Sequence, residues 1–173
     1  MNPEPLPTVE GLLAKVLRGG TEAQEATLTL GLLIEDRPPA DDAGLAVVIG
    51  PQLAELRLSP AERNAAVDGL LAYIRDTAEP SPTAIWALTK SYEPRIVPVL
   101  IALLDRHGDD PHAAPLAYQA LVGIVTAGLT TPEWRERSLV AVKRAAARAH
   151  AEVAEAAQRY LKTAVPQSGC EEL

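Results

Sequence analysis

Two imidazoles and two carboxylates fall within six residues at His107-Gly108-Asp109-Asp110-Pro111-His112, the densest chemistry in the chain. Imidazole nitrogens and carboxylate oxygens are donors for zinc and related metals, and a loop can fold such donors onto one ion. His107, Asp109 and His112 are therefore the metal-ligand candidates. The same letters also read as punctuation between helices. A histidine in a last turn meets the negative end of the helix dipole, Gly108 stops that helix, and Asp110 ahead of Pro111 caps the next. Because every position has a use in that second reading, neither a metal nor any other cofactor is expected.

Elsewhere the signals for catalysis are thin. His150, between Arg144, Arg148 and Glu152, could act as a general base if a carboxylate oriented it. No Ser or Cys in a recognisable nucleophile motif accompanies it, and no glycine pattern that cradles phosphate is present. Glu35-Asp36 and Asp41-Asp42 sit where helix ends are expected and suit caps. Cys170 is the single cysteine, which excludes an intrachain disulfide and an all-cysteine metal site. No catalytic residue is assigned. Trp86, Tyr92 and Tyr118 are the candidates for partner binding, because large amphipathic aromatics anchor protein interfaces. Burial among helices would use the same three side chains equally well.

The elements that must position these residues are helices. The 173 residues include 30 Ala and 24 Leu and no Phe, a mixture that favours helix and disfavours sheet. The prolines at 3, 5 and 7 keep the first seven residues extended and flexible. A helix opens at Thr8 and stops at Gly19-Gly20. A second runs from Thr21 to about Asp36, ahead of Pro38-Pro39. A third, from Asp41 or Asp42 to about Leu56, is interrupted at Gly50-Pro51. Ser59-Pro60-Ala61-Glu62 predicts a helix start with serine cap, leading proline and glutamate at the third position. Further starts fall at Ser81-Pro82, Glu93-Pro94, Asp110-Pro111 and Thr131-Pro132-Glu133. The Asp110 helix closes at Gly128. The last helical region extends to about Ala164, with a bend or turn expected around Ala147–Ala151. Residues 165–173 form a flexible polar tail.

Sixteen Lys and Arg against 23 Asp and Glu leave a net charge of −7. That sign repels phosphate backbones, so nucleic acid is a disfavoured partner and another protein, basic in character, a favoured one. Residues 131–165 depart from the trend with seven basic and four acidic side chains. The N-terminus lacks a signal-peptide pattern, and no apolar run reaches the roughly 18–20 residues of a bilayer span. No membrane contact and a cytoplasmic location are expected.

Internal similarity is the strongest signal. Gly11-Leu12-Leu13-Ala14-Lys15-Val16 parallels Gly69-Leu70-Leu71-Ala72-Tyr73-Ile74. Val97–Asp105 followed by Pro115–Ile124 resembles a bacterial HEAT-like (armadillo-type) repeat, and Glu152–Leu161 resembles the second helix of such a unit. Thr83–Leu88 is a further match. The valine-arginine pair common in the family's second helices is missing, and the spacing is uneven. The resemblance implies an all-α fold over residues 8–164 as one domain. It would be a short right-handed α-solenoid of about four or five antiparallel helix pairs, stacked because one pair cannot bury its apolar face alone. The implied function is a non-catalytic adaptor or scaffold, or an immunity or inhibitor protein covering a basic partner. An enzyme or small-molecule-binding protein with a pocket between repeats is the alternative. A third reading, by likeness to HEAT-like DNA glycosylases, places DNA against Arg135, Arg137, Lys143, Arg144 and Arg148.

Overall fold

A computed structural model describes residues 6–35 and 56–164, and those residues are all-helical, with no strand among them. The helix expected between Asp41 and Leu56 and the tail from 165 lie outside the described residues, as does most of the N-terminal segment. The chain divides into two compact units, Met1–Ser91 and Tyr92–Leu173.

In the first unit, α1 spans Val9–Arg18 and α2 spans Thr21–Glu35. Thr8 Oγ1 accepts a hydrogen bond from the Gly11 amide at 3.1 Å, occupying one of the donors that a helix start leaves free. Gly19 and Gly20 have φ of +77° and +80°, a region costly for L side chains. Two residues thus reverse the chain and lay α2 back along α1. α3 spans Pro60–Asp76 and α4 spans Pro82–Thr89. The predicted capping box is present at α3. The Ser59 amide donates to Glu62 Oε2 at 2.8 Å and the Glu62 amide to Ser59 Oγ at 3.3 Å. Ser59 Oγ also donates to Glu62 Oε2 at 2.7 Å, and this bond, followed by the one from the Ser59 amide, holds the Glu62 carboxyl below the usual carboxylate range.

Like-placed helices face each other across this unit: α1 packs on α3, and α2 on α4. Leu12, Val16, Leu30, Ile34, Val67, Leu70, Ile85 and Leu88 are buried in it. The approach of α2 to α4 depends on Gly31. A Cβ there would run into Trp86 Cζ3 and lie 3.0 Å from Ala87 Cα. The C-terminal end of α2 is then pinned by cations. Arg63 donates from Nε to Ile34 O at 3.1 Å and from Nη2 to Ser91 O at 2.8 Å. Lys90 Nζ meets Glu35 Oε1 at 3.1 Å while lying 5.1 Å from the centre of the Trp86 ring.

In the second unit, a 3-10 turn at Pro94–Ile96 leads into α5, Val97–His107. Another at Pro111–Ala113 leads into α6, Ala114–Gly123. The single helix expected from Asp110 to Gly128 is instead resolved into three windings, closing with a π turn at Ile124–Gly128. Widening the helix frees carbonyls, and nearby hydroxyls take them up. Thr126 Oγ1 donates to Val122 O at 2.9 Å and Thr131 Oγ1 to Ala127 O at 2.7 Å. Gly128 lets this turn settle against the next helix, since a Cβ there would overlap Ser138 Oγ.

α7 spans Pro132–Arg148 and α8 spans Ala151–Ala164, so the expected interruption falls at Ala149–His150. No glycine or proline causes it. Ala149 has extended ψ of 164°, and the His150 amide donates to Gly108 O at 2.7 Å. The break is thus held by a bond to the turn after α5. Packing repeats the pattern of the first unit: α5 lies on α7, and α6 on α8. Among the described residues, the main helix contacts of this unit do not include one between α5 and α8.

Gly31→Ala tests the close approach of α2 to α4. Overpacking at this contact is expected to cost about 1–3 kcal/mol, read as a lower urea midpoint at unchanged m-value. Alanine at exposed Gly11, which meets only Thr8 Oγ1 at 3.2 Å, serves as the reference.

Candidate functional site

The histidine loop is built as helix punctuation. His107 ends α5 and is buried, with no partner at Nε2. The Gly108 amide returns to Leu104 O at 2.9 Å, closing the helix. Asp110 Oδ1 accepts from the His112 amide at 2.8 Å, which starts the following 3-10 turn. Asp109 and His112 are exposed, while the His107 ring is enclosed. The three candidates therefore do not converge on one point. Among the described residues, no group of three or more His, Cys, Asp or Glu side chains is placed to hold a metal ion. His150 Nδ1 is likewise buried without a partner, so no carboxylate orients that ring through this nitrogen.

The three aromatic candidates have separate surroundings. Trp86 is half-buried between Lys90 and the glycine face of α2. Tyr92 is 50% exposed and has φ of +53°, the one non-glycine residue with positive φ among those described. Tyr118, on α6, is 37% exposed and hydrogen-bonds with Tyr160 of α8. Burial pushes the Tyr160 phenol above its usual value of 10, and the nearby Tyr118 adds to the shift by charge and by hydrogen bonding. Arg159 opposes them. Tyr118 and Tyr160 thus join the two second helices of this unit at its surface.

The basic side chains of α7 do not form one free array. Arg144 Nη1 donates to Asp105 Oδ1 of α5 at 2.6 Å, and the Arg137 guanidinium lies 4.8 Å from the centre of the Trp134 ring. That ion pair bridges two adjoining clefts along the seam of α5 and α7. One, of about 210 Å³, is lined by Asp105, Asp109, Arg144, Ala145 and Arg148. The other, of about 330 Å³, is lined by Ile101, Asp105, Glu136, Arg137, Val140 and Arg144. Reading α7 for charge alone misses this seam. The signal for it is Ala141 and Ala145, four residues apart on one face of α7, with Ala149 following at the same spacing just past the helix end.

No helix among the described residues is long and apolar enough to cross a membrane. The chain matches no protein-family model, no curated protein and no solved structure.

The Tyr160 shift has a fixed sign. A phenol raised in the folded state contributes stability that is complete below pH 10 and is lost as pH rises through the folded value. Urea unfolding between pH 9 and about 11.5 is expected to show stability falling above pH 10, with a shallower fall in Tyr160→Phe.

Proposed function

We propose that this chain is a non-catalytic protein-binding adaptor, built as a short right-handed α-solenoid of HEAT-like helix pairs. The observation that carries this reading is the repeated packing order. In each unit the first helix of one described hairpin faces the first helix of the other, and second faces second. The parallel sequences Gly11-Leu12-Leu13-Ala14 and Gly69-Leu70-Leu71-Ala72 fall on the facing first helices α1 and α3, and Leu13 lies over Gly69. Stacking of this kind buries each hairpin against its neighbour and leaves rows of side chains on the outer helix faces for a partner. Tyr92 and Tyr118 are exposed on the second unit, and interface anchors are commonly tyrosines. The net charge of −7 favours a basic partner, as for an immunity or inhibitor protein, and a cytoplasmic site of action accompanies it.

Cross-linking in the cells that make the protein, followed by calorimetry with the purified partner, tests this. The expected result is a one-to-one complex whose affinity drops at least tenfold in Tyr92→Ser or Tyr118→Ser, with unchanged helicity. A co-purifying stoichiometric small molecule, or a complex indifferent to both substitutions, would count against the adaptor reading.

A further inference from the structure

We infer that the seam between α5 and α7 binds a second copy of this chain. This goes beyond the adaptor reading and uses a different face, since Tyr118 belongs to the α6–α8 layer. The seam's two walls carry opposite charge. Arg137, Arg144 and Arg148 stand on the α7 side, and Asp105 and Asp109 on the α5 side, with Glu136 as the one carboxylate on the arginine wall. Three cations and three carboxylates thus line the two adjoining clefts, which together form the trough of this seam. An occupant of uniform sign, an acidic or a basic peptide, would gain at one wall and lose at the other.

The trough calls for an occupant that is itself divided, with its negative edge toward α7 and its positive edge toward α5. A second copy meets that requirement by symmetry. When the two-fold axis lies in the contact plane and along the trough, each copy's arginine wall faces the other's aspartates. Residues at the same height pair across the axis, so Arg148 of one copy comes opposite Asp109 of the other. Both line the same cleft, and each lies four residues beyond a member of the Asp105–Arg144 pair. Their near neighbours Gly108 and His150 are joined by a hydrogen bond of 2.7 Å, which sets Asp109 and Arg148 at similar heights. The adjoining cleft is lined in part by two apolar side chains, Val140 of α7, 50% exposed, and Ile101 of α5. Self-contact removes that apolar surface from water, where a monomer leaves it wet. Asp105 and Arg144, already joined within one chain, become the centre of a four-membered ionic network.

Sedimentation velocity of the full chain, from about 10 µM to 1 mM in low salt, is the test. The expected result is a concentration-dependent doubling of mass, weakened at least fivefold by about 0.5 M NaCl. Arg148→Glu alone sets two carboxylates opposite each other, and Asp109→Arg alone sets two guanidiniums opposite each other. Each variant is expected to stay monomeric with wild-type helicity, since both side chains are exposed. Mixing the two is expected to restore association as a heterodimer, because every facing pair is then of opposite sign. Val140→Asp, also at an exposed position, is expected to abolish the dimer. A wild type that is monomeric throughout would overturn the inference. So would single variants that dimerise like the wild type, or a mixture that remains monomeric.

Discussion

With 30 alanines and no phenylalanine, the helices of this chain fill the space between them mainly by coming close together. At three of the close approaches the residue is glycine: Gly31 beneath Trp86, Gly69 beneath Leu13, and Gly128 beneath Ser138. Close approach restricts which elements can be neighbours. A hairpin presents its short side chains along one stripe, and the matching stripe belongs to the like-placed helix of the next hairpin. The order α1 on α3, α2 on α4, α5 on α7 and α6 on α8 follows from that restriction. Charged side chains then secure the ends, as Arg63 and Lys90 do for α2.

The helix boundaries were legible because their determinants are local. Thr8, Ser59 and Ser81 each supply a capping oxygen within three residues of the donor they satisfy. Gly19-Gly20 permits a backbone conformation that other residues resist. The winding inside a helical stretch was less legible. Nothing in Ile124-Val125-Thr126-Ala127-Gly128 announces a π turn, because the hydroxyls that take up its carbonyls serve equally well in an ordinary helix. The break at Ala149–His150 was visible only as a length too great for one helix. Its cause, a hydrogen bond to Gly108, joins residues 42 positions apart.

The same distinction divides the site residues. The histidine loop reads as punctuation because capping chemistry is written in neighbouring letters. Tyr118 stood out as an aromatic in an alanine-rich stretch, but its neighbour Tyr160 belongs to another helix and could be found only from packing. The charged seam lay further out of reach. Arg144 and Arg148 look like a basic face on α7 until α5 and the turn after it bring Asp105 and Asp109 beside them.

The bond from the His150 amide to the Gly108 carbonyl has a consequence for how the second unit comes apart. It links the connection that closes α5 to the connection between α7 and α8. Turns at a protein surface ordinarily open on their own, and their amides exchange hydrogen quickly with solvent. Here the acceptor of the His150 amide belongs to the other hairpin, so its exchange depends on the contact between the two hairpins at this point. Its exchange rate is therefore a local gauge of how firmly the two hairpins are joined.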